Sequence, residues 1–295
     1  MNKKMKIIVV FLFVALIGIV YVAINAKRYN EVGRQKTITI SGSTALLPLM
    51  DQSKIEFDKQ HPDYIINVQG GGSGTGLNQV LDGTVNIGNS DMFAEEKLNE
   101  AQSGELQNHN VVGERFVIAS GKGVGVDSLT VEQIRDIFSG KVTNWNQVGG
   151  KNIPILVIHR PGSSGTRNTF TDTVMGGDKS LENNAIGTVQ DSNGAVLKTI
   201  ESNPGAISYL GYAYTNSDEA KNTLNVIKIN GYSASVKDIE DGKYPFWSFG
   251  HMYTKGDATG LAKEFIDYVT SEENAKYVEQ LGYIPIQNLK DKEQR

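Results

Sequence analysis

The first strong pattern in the chain is an unbroken apolar run over residues 7–24. Lys3, Lys4 and Lys6 precede it, and Lys27 and Arg28 follow. A basic segment ahead of an apolar core reads as an export signal. The run is longer than the roughly 7–15 residues of a signal core and reaches the lower bound of about 17 for a spanning helix. It has no polar face, so it does not read as an amphipathic soluble helix. The pattern predicts a retained N-terminal anchor, with cleavage near Ala26 as the alternative. The three lysines then mark the cytoplasmic side and place the rest of the chain outside. Residues 29–36 are polar and read as a tether.

Beyond the tether, short apolar runs alternate with helical periodicity. Strands are predicted at 37–40, 65–69, 85–88, 115–119 and 155–158, and helices at 45–60, 76–81, 130–138 and 166–175. Pro48 is tolerable only in the first turn of its helix. Such alternation predicts an α/β fold with largely parallel sheets. Two helices close the chain. Leu261, Phe265 and Tyr268 line one face of the first. The second is expected to open on a capping box of Thr270 and Glu273 and to stop at Gly282. Trp145 reads as core, and Trp247 as part of a strand returning to the first half of the fold, with a packing role.

Composition narrows the chemistry. Of 295 residues, 39% are hydrophobic and 21% charged, which is ordinary for a globular protein. A net charge of −4 argues against a nucleic-acid partner. The chain has no cysteine, which removes thiol catalysis, disulfides, cysteine-based metal sites and lipid attachment through an N-terminal Cys. There are 32 glycines, above the usual ~7% of residues, and they cluster.

The clusters share one design, in which a strand leads into a Ser/Thr/Gly loop and then a helix. They are Ser41-Gly42-Ser43-Thr44, the stretch from Gly70 to Gly76, and the stretch from Arg160 to Arg167. A helix start offers unpaired N–H groups and partial positive charge, so it favours an anion. A single loop of this kind is usually only a cap. Three in one chain, one carrying an arginine, point to an anion site. The glycine-rich stretch has no following Gly-Lys-Ser/Thr and fails G-x-G-x-x-G, so nucleotide binding is not supported. G-x-S-x-G is absent as well. The four histidines show no metal-ligand spacing, and no cofactor is expected.

Asp91 ends the segment Val85-Asn86-Ile87-Gly88-Asn89-Ser90-Asp91. One reading is a helix N-cap. The sharper reading is an acceptor inside the anion site. A carboxylate accepts a hydrogen bond only from an anion that still carries a proton. Hydrogen phosphate carries one at neutral pH and sulfate does not, so Asp91 would select between them.

The blocks GSTALLP (42–48), NVQGGGSGTG (67–76), VNIGNSD (85–91), IFSGKVTNWNQVGG (137–150), IHRPGSSGTRNTF (158–170) and NPGAISYLGYAY (203–214) resemble the phosphate-binding proteins of Pst-type ABC transporters. The resemblance spans roughly residues 37–287. It implies a two-lobed type II periplasmic-binding-protein fold with the anion in the cleft. Residues 36–117 and 249–295 would form one lobe and 118–248 the other. Carried over position by position, the site would comprise Ser43, Thr44 and the backbone of Ala45, then Ser73 and Asp91, facing Arg160, Ser164, Gly165 and Thr166. Gly162 stands where many relatives have an acidic residue, which predicts a less braced Arg160. Implied partners are inorganic phosphate and the membrane permease and ATPase of an importer, with the binding protein a monomer. The rival readings are another oxyanion (sulfate, molybdate or tungstate), a hydrolase using Ser73 or Ser164, and a sensing or adhesion module of the same fold.

Overall fold

The computed structural model describes residues 36–289. The apolar run, the tether and the cleavage position near Ala26 lie outside the described residues. Among the described residues, no helix is long and apolar enough to cross a membrane.

The first half opens with β1 (Thr37–Gly42), helix α1 (Leu47–Gln60), β2 (Ile65–Gly70), α2 (Ser73–Leu81) and β3 (Ile87–Ser90). Strand β1 lies between β2 and β3, parallel to both. Its apolar side chains Ile38 and Ile40 are buried, and Pro48 sits in the first turn of α1 as required. Strand β4 (Leu106–Gly121) then runs 16 residues. In the second half follow β5 (Ser128–Leu129), α3 (Val131–Phe138), β6 (Leu156–His159), α4 (Gly165–Thr173), β7 (Thr188–Val189), α5 (Asn193–Ser202), β8 (Ala206–Gly211) and β9 (Leu224–Ile229). The chain returns through β10 (Trp247–Lys255) and ends in α6 (Gly260–Val269), α7 (Glu272–Leu281) and β11 (Ile284–Pro285).

The sheets are mixed rather than largely parallel. Strands β6, β7 and β8 run parallel to their neighbours in the second half, as β1 to β3 do in the first. The two crossing strands oppose them. β10 is antiparallel to β3 and to β4, and β4 is antiparallel to β8 and β9. Strand β4 pairs with β10 up to Arg115 and with β8 from Phe116 onward, so one strand belongs to both halves. Its polar start, Gln107-Asn108-His109-Asn110, carries no alternation, which is why only its apolar end is legible in the sequence.

Two cores lie on either side of this crossing. Ile40, Phe57, Val112, Met252 and Phe265 belong to the first. Phe116, Phe138, Trp145, Phe170, Tyr209 and Phe246 belong to the second. Helix α7 is capped by Ser271, whose Oγ accepts from the Asn274 amide at 3.2 Å, and not by Thr270. The Thr270 hydroxyl donates back to the Ile266 carbonyl at 3.0 Å and is spent on the preceding helix. Gly282, left-handed at φ 93°, stops α7 as expected.

Candidate functional site

Five strands deliver their carboxyl ends to one buried point. After β1 come Ser43, Thr44 and Ala45. After β2 the glycine loop leads to Ser73, and after β3 comes Asp91. From the other lobe, β6 leads to Arg160 and to α4 with Ser164, Gly165 and Thr166. Each of these nine residues is buried. The fifth strand, β7, leads to Asn193 at the start of α5, a residue the sequence reading missed. The segment Asp191-Ser192-Asn193-Gly194 repeats the strand, polar loop and helix design a fourth time, which was the available signal. Carboxyl ends of parallel strands are where α/β folds hold ligands.

The lobes are closed on one another through this site. Thr166 Oγ1 donates to Asp91 Oδ2 at 3.0 Å. Thr44 Oγ1 receives Arg160 Nη2 at 3.3 Å and Asn193 Nδ2 at 2.9 Å. Tyr214 donates its hydroxyl to the Thr44 carbonyl at 2.7 Å. The amide of Gly74 donates to the Ser163 carbonyl at 2.9 Å. Gly165 touches the opposite lobe so closely that a Cβ there would stand 2.2 Å from Ser73 Oγ. Away from the site centre, Asn168 on α4 donates to Glu96 of the first lobe.

Local bonds fix the individual groups. Ser43 Oγ accepts from the amides of Ala45 and Leu46, at 3.0 and 3.3 Å. Ser73 Oγ accepts from the Asp91 amide at 3.0 Å. Ser164 caps α4 by accepting from the Arg167 amide at 3.2 Å. The first intrahelical bond of α4 is Asn168 N to Ser164 O, so the amides of Gly165 and Thr166 precede it.

Arg160 is braced despite Gly162. Its Nε and Nη2 donate to the carbonyls of Gln190 and Asp191, both at 3.1 Å. Arg167 donates to the carbonyl of Arg160 and pairs with Glu182 at 3.0 Å. Glu182 in turn meets His159 Nδ1 at 2.8 Å and the Tyr209 hydroxyl at 2.8 Å. His159 is thus a buried structural partner of this network. Gly162 itself faces open space. Backbone carbonyls and the following helix therefore do what an acidic side chain was expected to do.

One guanidinium nitrogen, Arg160 Nη1, is buried and has no partner among the described residues. Burial pushes the guanidinium down from its ordinary value, opposed by Tyr209 and Asp91, and it remains a cation. Burial raises the Asp91 carboxyl, and the hydroxyls of Ser43 and Thr166 and the charge of Arg160 pull it back. The centre thus joins a cation with a free donor, two helix N-termini (α2 and α4) and a carboxylate acceptor. A cavity of about 830 Å³ borders Asp91 on one side. Trp247 lines it, together with Phe93, Asn168 and His251, besides packing edge-on to Phe249 at 5.5 Å between ring centres.

The family model described as PBP superfamily domain matches residues 29–273. The chain is 40% identical to the phosphate-binding protein PstS of Bacillus subtilis, over 98% of this chain and 96% of that one. Among solved structures, a phosphate ABC transporter substrate-binding protein of Clostridium perfringens, with bound phosphate, aligns with a TM-score of 0.76 and 28% identity. That alignment covers 84% of this chain and 99% of the other. An ABC-type phosphate transport receptor of Vibrio cholerae aligns with a TM-score of 0.64 and 27% identity over the same shares. With a family match over most of its length and this identity to a full-length relative, the chain belongs to the PBP superfamily, among the PstS phosphate-binding proteins.

Proposed function

We infer that this chain captures inorganic phosphate between its two lobes and delivers it to the permease and ATPase of an ABC-type importer. The observation that carries the reading is Arg160, buried and charged, with Nη1 free of partners among the described residues. It faces Thr44 and stands with the N-termini of α2 and α4 and the acceptor Asp91. The phosphate-binding residues are taken to be Ser43, Thr44, Ala45, Ser73, Asp91, Arg160, Ser164, Gly165 and Thr166, with Asn193 holding Thr44 in place. The relatives are binding proteins of transporters, so the chain is not an enzyme.

The energetics are adequate. A hydrogen bond to a charged group is worth roughly 1.5–3 kcal/mol. Five at the low end give about 7–8 kcal/mol, and micromolar affinity requires about 8. The lobes are taken as residues 36–117 with 249–295, and 118–248. The core changes between Val112 and Phe116 on β4 and between Phe249 and Met252 on β10, within a few residues of those bounds. The protein works outside the cytoplasm as a monomer. It is anchored by residues 7–24 or released by cleavage near Ala26.

Titration calorimetry of the full-length chain in mild detergent tests the reading. Phosphate should bind at one site in the micromolar range or tighter, with sulfate silent. Asp91→Asn should admit sulfate. Sulfate, molybdate or tungstate binding to the unaltered chain, with phosphate silent, would overturn the assignment of ligand. Sulfate exclusion that survives Asp91→Asn would reduce Asp91 to a structural cap.

A further inference from the structure

Strand β4 carries a single acidic residue inside its apolar end, Glu114, at the crossing between the lobes. It pairs across the strand with Ser248 of β10. Its side chain is 1% exposed. Neither carboxyl oxygen accepts a hydrogen bond, and among the described residues no Lys, Arg or His pairs with it. Room is made for it by Gly250 on β10, where a Cβ would stand 2.9 Å from Glu114 Oε1. The carboxyl of Asp91 acts on it both through its charge and through a side-chain hydrogen bond. Among the described residues Asp91 Oδ1 is likewise buried without a hydrogen-bond partner, while Oδ2 accepts from Thr166 and the Ser43 hydroxyl also acts on this carboxyl. Three buried carboxyl oxygens without donors are therefore gathered in one place.

Two carboxylates cannot both stay ionised there. Burial without a partner strongly disfavours a charged carboxylate, and a neighbouring like charge adds to that cost. Burial first, and the Asp91 charge second, push the Glu114 carboxyl well above its ordinary range. A proton placed between the two satisfies Glu114 as donor and Asp91 Oδ1 as acceptor. Other titratable and charged groups on the surrounding elements are Arg160, Tyr214, Tyr283 and, beside Gly250 on β10, His251, which burial pushes down to about 3 and so keeps neutral. Both tyrosines spend their hydroxyls on backbone carbonyls, those of Thr44 and Ala45. Arg160 then balances one negative charge and not two.

We propose that Glu114 is a positioning and specificity residue of the anion site, a neutral carboxylic acid that donates its hydroxyl to Asp91 and so keeps Asp91 a singly charged acceptor aimed at the bound anion. The inference rests on the phosphate reading above. When Glu114 loses its proton, a second negative charge faces a dianion in a closed, buried site, and binding weakens. Because Glu114 lies where β4 passes between the lobes, opening that admits water favours its ionised form, and closure on the anion favours the neutral one.

The test compares the phosphate affinity of the unaltered full-length chain and Glu114→Gln by titration calorimetry from pH 6 to pH 9. The ionisation of phosphate itself is common to both and cancels in the ratio. Glutamine keeps a donor toward Asp91 and cannot ionise. The unaltered chain should lose affinity more steeply, by up to about tenfold per pH unit once Glu114 titrates. The number of protons exchanged on binding, read from buffers of different ionisation heat, should differ between the two proteins. Parallel pH profiles with equal proton counts would overturn the role of Glu114 while leaving phosphate binding intact. Absence of phosphate binding by the unaltered chain would instead overturn the functional reading. Infrared spectroscopy of the unaltered chain decides the matter if the variant does not fold. A protonated-carboxyl band at neutral pH, lost together with affinity as pH rises, supports the proposal, and its absence overturns it.

Discussion

Arg160 has both halves of its fork constrained differently. The Nε and Nη2 side is fixed by the carbonyls of Gln190 and Asp191 and by Thr44, and Nη1 is left free. That arrangement depends on a planar group with several donors at fixed angles. An ammonium group provides a point charge without that fork. Arg160→Lys is therefore expected to weaken phosphate binding by about one to two hydrogen bonds to a charged group, roughly 1.5–3 kcal/mol each. Affinity equal to that of the unaltered chain in the same calorimetric titration would remove Arg160 from the site. The expectation that Gly162 leaves this arginine loose does not hold, because the brace comes from carbonyls brought in after β7. Carbonyls exist at every residue, so no side-chain signature could have announced it.

Helix α4 carries close contacts with the first lobe at the site. Its N-terminus supplies Gly165 and Thr166, its first turn is capped by Ser164, and its Asn168 reaches Glu96 across the cleft. Gly165 is required by proximity, since a Cβ would collide with Ser73 Oγ and come within 2.9 Å of the Asp91 Cβ. Within a helix, alanine is favoured over glycine by about 1 kcal/mol. Gly165→Ala should thus leave α4 folded and act only on the fit between lobes. The expected outcome is unchanged far-ultraviolet circular dichroism, phosphate affinity reduced at least about tenfold, the equivalent of ~1.4 kcal/mol, and a radius of gyration in excess phosphate that stays larger than that of the unaltered chain. Normal compaction by X-ray scattering would show that α4 and α2 tolerate greater separation than the packing suggests.

At the scale of the whole molecule, β4 and β10 run between two cores, and on the proposed reading a ligand bound between those cores acts as a cross-link. Phosphate at about 100 times its dissociation constant should add ~2.7 kcal/mol of stability and raise the melting temperature accordingly. The pH dependence without ligand has a definite sign. Burial raises the carboxyls of Asp91 and Glu114. Their contribution is fully present below the ordinary carboxylate range, near pH 4. It is lost as pH rises through their raised native values, because the unfolded chain ionises first. Glu114→Gln removes part of that loss. Its melting temperature relative to the unaltered chain, followed by calorimetry from pH 4 to pH 8, should therefore climb with pH. A difference that does not change with pH would mean that Glu114 titrates as an ordinary exposed carboxyl.

Much of this protein was determined locally and was readable as sequence. Polar loops between apolar runs and helical periods marked Ser43, Ser73 and Ser164, of which Ser164 caps its helix and the other two bind loop amides. The ordered blocks from residue 42 to 214 carried the family. The tertiary structure alone decided the rest. The sheets are mixed because two strands cross between lobes, a pairing between residues more than a hundred positions apart. The cap of α7 moved to Ser271 because Thr270 had a nearer acceptor. Asn193 acquired its place only when the segment after β7 met Thr44 across the cleft, and Glu114 only when β4 was laid beside β10. Sequence periodicity reports which face of an element is apolar. It does not report which buried polar groups meet, since that depends on contacts between distant segments and on whether water is left to satisfy them.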